Sequence, residues 1–488
     1  MNKINQLRNI LNQQNCDGYL IPKNDEYFGE YVPKNKDRLK FISGFTGSAG
    51  LALILKNKSY LFVDGRYTLQ AKAEINKNFE ICEIPKIKPH YILKNLNKKI
   101  TLGFDPKLFT SSTLKNIISN SLIKPKPINN NLIDIIWKNK KKINNNKFYI
   151  LEEKYHGENY LNKISKVCKF LKLKDIHYLL TTATENISWL LNIRGSDALY
   201  SPLTNGKILF NKNGKIIFFT NIKKITPQIK KAFKKKVIFI KEELFVNYLR
   251  KIKNSKILID KKTCSFYYEK NIHSSNKLID IEDPIYLLKA IKNKTEISNT
   301  KIAHLFDGIA LTKFIFWLKN NYRKTKITEV SAQNKLENYK KQNKNYLYPS
   351  FNTISGFGSN GAIVHYRSNN KTNKAIKGNN LYLLDSGSQY FYGTTDVTRT
   401  IAIGNLSNFQ KKIYSKVLKG HIAVASYKLK KSTLGKHIDK VARVPLLKLG
   451  YNYSHGTGHG VGYFLNVHEG PQGLSPFNNH KILPGMIL

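Results

Sequence analysis

Residues 385–400 read DSGSQYFYGTTDVTRT, and they place two carboxylates where a core belongs. The preceding run, Leu381–Leu384 (LYLL), predicts a buried strand that delivers Asp385. The run TTDVTRTIAIG predicts a second strand that carries Asp396. YFYG between them reads as a turn, so the two runs pair as an antiparallel hairpin. That pairing sets Asp385 and Asp396 close to opposite one another, with Cβ atoms about 4.5–5.5 Å apart, where like charges destabilise a sheet. Carboxylates withdrawn from water must neutralise or find a cation, and one divalent metal ion would satisfy both. In isolation, DSG and GTTD equally suit two aspartates that merely cap turns.

A second constellation decides between these readings. Residues 454–471, SHGTGHGVGYFLNVHEGP, gather His455, His459 and His468 among five glycines, in a chain with twelve histidines in all. The glycines at 456, 458, 460 and 462 alternate and do not spell GxGxxG, and so many glycines would spoil a zinc-protease HExxH helix. Glycine here predicts close approach of the backbone to a bound group. His365, in GAIVHYR, is a fourth candidate, expected on a strand of its own.

Upstream of these motifs, ISNTKIAHLFDGIALTKFIFWLKNN has Ile302, Leu305, Phe306, Ile309 and Phe316 at helical spacing, which predicts a long amphipathic helix. ITEVSAQNKLENYKKQ predicts another, capped by Thr328 or Ser331. PSFNTISGFGSNGAIVHY and NLYLLDSG read as strands, so residues 285–488 form an α+β domain. Before it, two segments share an order of features. DGYLIPKNDEYF, FISGFTGSAG, NKSYLFVDG and LGFDPK are followed by DIHYLLTTATENISWL, LNIRGSDALY, NGKIIFFTN and ILIDKK. This parallel fits a duplication or coincidence among common strand and turn patterns. Two α/β domains are expected, at 1–140 and 148–284, joined by a Lys/Asn-rich linker near 138–147.

A chain of 488 residues is too long for a single core, which agrees with three domains. The formal charge of +50 suggests nucleic acid or an acidic membrane, but only nine of the 82 basic residues are Arg. The lysines are spread among Asn and Ile, whereas nucleic-acid readers favour the bidentate and stacking guanidinium. No nucleic-acid partner is expected. No apolar run is long enough to span a bilayer, so no membrane partner is expected either. Cys16, Cys82, Cys168 and Cys264 are far apart with no CxxC, which points to a reducing, cytoplasmic setting.

DSG…TTDVTRT followed by HGTGHGVG and NVHEGP resembles the creatinase-type "pita-bread" metallopeptidase family, and within it the Xaa-Pro aminopeptidases (aminopeptidase P). FISGFTGSAG and VDGRYTLQA resemble the first domain of that family and TTATENISWLLNIRGSD the second; AHLFDGIALTKFIFWL with PSFNTISGFGSNGAIVHY resembles the third. The resemblance implies an α+β pita-bread domain behind two related creatinase-N-like α/β domains. It implies Asp385, Asp396 and His459 as metal ligands, with Asp396 bridging two ions, and His365, His455 and His468 as substrate-site residues. Carboxylates with one imidazole suit Mn²⁺, with Zn²⁺ or Co²⁺ as alternatives. Such a centre would activate water and stabilise the developing oxyanion on a peptide with proline second, whose tertiary amide has no N–H.

Proline-containing peptides are then the partners, and homodimerisation is implied by the family alone. Family members carry two further glutamate ligands, in segments that do not occur before the final LPGMIL. A partial sequence, an interrupted gene or loss of catalysis would each account for this. The expectation is a domain incomplete at its C-terminus, weak Mn²⁺ binding and poor turnover of Xaa-Pro peptides. A non-catalytic binding module of the same fold is the alternative.

Overall fold

Residues 1–285 build two six-stranded sheets of identical connectivity. The first comprises β1 (Gly18–Pro22), β2 (Leu51–Leu55), β3 (Ser59–Asp64), β4 (Glu80–Ile84), β5 (Ile100–Phe104) and β6 (Ile123–Pro127), in the order β4-β3-β2-β1-β5-β6. The second comprises β7 (Tyr178–Thr181), β8 (Lys207–Asn211), β9 (Ile216–Thr220), β10 (Val237–Lys241), β11 (Lys256–Ile259) and β12 (Lys277–Asp280), in the order β10-β9-β8-β7-β11-β12. A helix leads into each sheet, α1 (Lys3–Gln13) before β1 and α2 (Tyr160–Leu173) before β7. Both sheets mix antiparallel and parallel pairs in the same places; β1–β2 and β7–β8 are antiparallel, and β1–β5 and β7–β11 parallel. In β1, Tyr19 and Ile21 enter one core and Leu20 another, because alternate residues face opposite sides of a strand. Each sheet face is therefore covered, and the strands read as continuous apolar runs.

This computed structural model describes residues 2–119, 121–138 and 145–488. The expected linker near 138–147 falls largely on 139–144, outside the described residues. Two units are distinguished: Met1–Ile150 with Tyr160–Leu199 and Leu203–Ile285, and Leu151–Asn159 with Tyr200–Pro202 and Tyr286–Leu488. Among the described residues no helix is long and apolar enough to cross a membrane.

In the second unit, α3 (Lys294–Asn321) begins at a capping box formed by Asn293 and Glu296. The helix is where the periodicity predicts it, but the buried face is a different one. Ala303, Asp307, Ala310, Leu311, Phe314 and Leu318 are buried, while Ile302, Leu305, Ile309 and Phe316 are exposed, Phe316 by 72%. Alternative apolar stripes on one helix have the same period, so period alone does not choose between them. Helix α4 (Glu329–Lys341) is capped by Thr328, whose hydroxyl accepts from Ser331 N while Ser331 Oγ accepts from Thr328 N.

These helices cover two small three-stranded sheets. One joins β13 (Tyr346–Tyr348), β16 (Gln389–Tyr390) and β17 (Gly393–Thr394); the other joins β14 (Ile354–Phe357), β15 (Asn380–Ser386) and β18 (Val397–Ile403). Tyr382, Leu384, Ile401 and Ile403 pack with Leu311, Phe314, Leu318 and Leu336 of the helices. Farther on, α5 (Asn408–Ala425) and α6 (Gly435–Leu447) lead to a two-stranded ribbon, β19 (Gly458–Gly460) with β20 (Glu469–Leu474).

Candidate metal centre

The hairpin forms as expected, but its register differs from the expected one. β15 and β18 pair from Asn380↔Ile403 to Ser386↔Val397, which sets Asp385 opposite Thr398. Asp396 lies one residue before β18, so the two aspartates are diagonal neighbours on one face and not a directly opposed pair. The tip explains the shift. Residues 389–394 leave the sheet and pair with one another, Gln389↔Thr394 and Tyr390↔Gly393, in the neighbouring sheet with β13. Asp385 and Asp396 still interact, while the Thr398 side chain opposite Asp385 favours its ionised form. Burial, then the charge of Asp396, raise the Asp385 pKa to about 7. Asp385 Oδ1 is buried with no hydrogen-bond partner.

His459 comes to the same place from the second ribbon. Its Nε2 lies 3.1 Å from Asp396 Oδ2, and its Nδ1 lies 2.8 Å from the Gly460 carbonyl. A carbonyl oxygen can only accept, so Nδ1 carries a proton, and in the neutral form of the ring the Nε2 lone pair is the one turned toward the carboxylate. Lone pair faces lone pair there unless a proton or a cation intervenes. An orphaned carboxylate oxygen, a second carboxylate and a tautomer-fixed imidazole form a donor set that suits a divalent metal ion. The His468 ring is 4.2 Å from that of His459, centroid to centroid.

The other histidines sit differently. His455 repeats the His459 arrangement, with Nδ1 2.6 Å from the carbonyl of Gly456, and its ring lies 5.9 Å from that of Tyr453. His365 is not on a strand: it occupies a turn after the short 3₁₀ segment Gly358–Ala362. GFGSNGA is too rich in Gly, Asn and Ser to extend the strand; the Asn360 carbonyl accepts from Ile363 N in a turn, and its side chain donates to the distant Glu329.

The glycines of HGTGHGVG serve the ribbon itself. A Cβ at Gly460 would collide with Gln472 and the carbonyl of Glu469, and one at Gly462 with the carbonyl of Asn466. They admit neighbouring parts of the same chain, a use that composition cannot distinguish from ligand contact. Sequence reading also passed over the charged groups that hold the histidine ribbon. Arg443 pairs with Asp439 and donates to the carbonyls of Tyr453 and His455, while Thr457 Oγ1 donates to Asp439. Lys292 and Gln472 donate to the buried Glu469, and Lys289 Nζ is 3.9 Å from it. The one available signal was an acid next to His468 in HEGP.

Comparison with known proteins agrees with this geometry along the whole chain. Residues 298–488 match the model of metallopeptidase family M24, and residues 3–131 and 139–296 match models of the creatinase/prolidase N-terminal domain. Xaa-Pro aminopeptidase 1 of Dictyostelium discoideum is 35% identical over 97% of this chain and 78% of that protein. A probable Xaa-Pro aminopeptidase P of Laccaria bicolor is 34% identical over 99% of this chain and 78% of its own length. The crystal structure of X-prolyl aminopeptidase from Caenorhabditis elegans, described as a cytosolic enzyme with a di-nuclear active site, superposes with a TM-score of 0.91 at 28% identity, covering 100% of this chain and 82% of that one. With two creatinase/prolidase N-terminal domains followed by a pita-bread domain, the chain belongs to metallopeptidase family M24, among the Xaa-Pro aminopeptidases.

Proposed function

We propose that the chain is a divalent-metal-dependent hydrolase that releases the N-terminal residue from peptides with proline in the second position. The observation that carries this reading is the convergence of Asp385, Asp396 and His459, with one buried carboxylate oxygen left unpartnered. Asp385, Asp396 and His459 would hold the metal, Mn²⁺ suiting two carboxylates and one imidazole, with Zn²⁺ and Co²⁺ as the comparison ions. A divalent ion held there supplies Lewis acidity and lowers the pKa of water. His468, beside His459, and His455 and His365 would face the peptide and stabilise negative charge on the scissile carbonyl. Nδ1–H of His459, held by the Gly460 carbonyl, leaves Nε2 as the nitrogen turned toward Asp396 and so the one that would bind the metal. Cytoplasmic residence fits four free cysteines, three of them buried.

The test is direct. Purified chain with Mn²⁺ should release the first residue from an Xaa-Pro peptide, slowly, but not from its Xaa-Ala analogue, and EDTA should stop it. Release that is absent, or indifferent to EDTA, overturns the proposal.

One observation favours a second reading. Among the described residues, no three His, Cys, Asp or Glu side chains already stand in an arrangement ready to hold a metal ion. A binding module of this fold would retain Xaa-Pro peptides without turnover, so peptide binding measured beside the release assay separates the two.

A further inference from the structure

Below the aspartate ribbon lies an ion pair that the reaction does not itself require. Asp307 of α3 and Lys340 of α4 meet with Nζ 3.2 Å from Oδ1, and their side chains are 1% and 2% exposed. Burying such a pair is costly, and apolar residues of similar volume often serve stability as well or better. Asp307 Oδ2 even lacks a partner, so the pair is not fully satisfied. Stability alone is therefore a weak reason for its presence.

Its contacts indicate another. Lys340 Nζ donates to Ser386 Oγ at 3.2 Å, and Ser388 Oγ donates to Asp307 Oδ1. Ser386 and Ser388 are two residues apart and bracket Gly387, directly after Asp385. Side chains alternate along extended chain, so the serines reach down to the pair while Asp385 points to the other side. The second arm of the ribbon is locked to the first. Ser388 N donates to Thr395 Oγ1, Thr395 N to the Ser388 carbonyl, and Ser350 Oγ to the Thr395 carbonyl, at 2.9, 2.9 and 2.8 Å. Thr395 immediately precedes Asp396. Ser350, Ser386, Ser388, Thr394 and Thr395 are all fully buried. One rigid hydrogen-bonded lattice thus runs from the charge pair to the backbone next to both aspartates.

We propose that Asp307 and Lys340 are positioning residues that fix the spacing and direction of Asp385 and Asp396 through Ser386 and Ser388. Directed hydrogen bonds hold two hydroxyls at set angles, which an apolar pair cannot do. The metal-binding consequence rests on the function proposed above; the geometric one does not.

The experiment uses the full chain and Mn²⁺ alone, with free Mn²⁺ read by electron paramagnetic resonance. Lys340→Met and the charge-free double variant Asp307→Asn/Lys340→Met should each bind Mn²⁺ about 10–100-fold more weakly, the range for outer partners of metal ligands. Lys340→Arg should restore most of the affinity. Lys163, a buried lysine in the other unit held by Trp189 and Asn192, supplies the control: Lys163→Met should lower the melting temperature and leave Mn²⁺ affinity unchanged. A metal-free measurement accompanies it. Amide exchange over residues 385–396 should quicken at least about tenfold in Lys340→Met and stay unchanged in Lys163→Met, as expected for local opening.

Wild-type affinity and wild-type exchange in folded Lys340→Met would overturn the inference. If that variant does not fold, Ser388→Ala decides by the same two readouts. A wild-type chain that binds no Mn²⁺ would sink the metal reading, and the exchange result alone would then uphold or overturn the positioning role.

Discussion

The aspartate ribbon and the histidine ribbon bring their side chains to one point by opposite means. β15 and β18 are seven-residue strands in unbroken register over an apolar core of Tyr382, Leu384, Ile401 and Ile403. β19 has three residues, its register slips between His459 and Gly460, and its place is set by glycine contacts and buried charges. The first ribbon is positioned by repetition. The second is positioned by particular contacts, so single changes should harm it in more individual ways.

The largest effect should come where the ribbons meet. Asp396→Ala removes the group that touches both Asp385 and His459. Mn²⁺ binding should disappear from the titration and Xaa-Pro cleavage should fall by more than about a hundredfold. Unchanged turnover would mean that the two ribbons converge for structural reasons only.

Next comes the buried charge of the histidine ribbon. Glu469 faces two buried lysines, Lys292 and Lys289. Glu469→Gln strands both cations and should cost about 3–5 kcal/mol in chemical denaturation. Lys292→Met should cost less, because Lys289 still faces the acid. Equal losses would contradict this ordering. A smaller loss is expected of Gly460→Ala, about 1–3 kcal/mol from overpacking against Gln472 and Glu469. Wild-type stability there would show that the alternating glycines do not hold the ribbon together.

The last test concerns pH and bears on the aspartate ribbon alone. With a folded pKa near 7 against an ordinary value of 3.8, metal-free Asp385 binds its proton more tightly folded than unfolded. The folded state then holds more protons between about pH 4 and pH 7, so this group's contribution to stability falls as pH rises through that window. Metal-free Asp385→Asn should lack that part of the fall, so its stability relative to wild type should grow from pH 4 to pH 7. A difference that does not vary with pH would mean that Asp385 is ordinary. Bound Mn²⁺ should erase the difference by favouring the carboxylate.

Much of this was legible in the residues. LYLLD and TTDVTRT specify strands because alternation and β-branched content fix a half-buried ladder locally. A shared order of features in residues 1–285 was visible because each strand is a short apolar run bounded by turn residues; only the structure shows that the two strand orders match. The Asp385↔Thr398 register was not, since it depends on the tip pairing with β13, some forty residues earlier in the chain. The exposed stripe of α3 was misread for a related reason: a helix offers several faces, and what packs against it chooses one. His365 lost its strand to a turn at Asn360, whose side chain is held by Glu329, a residue brought beside it only by folding.

By itself, then, the sequence picked out which side chains are candidates for the chemistry and where the main helices and strands run, because periodicity and side-chain type act over a few residues. Only the tertiary structure decided which faces are buried, which residue stands opposite Asp385, and that Asp307 and Lys340 lie under one ribbon while Lys289 and Lys292 meet Glu469 of the other. Those outcomes depend on contacts between segments far apart along the chain, and a buried charge has no pattern until its partner is in place.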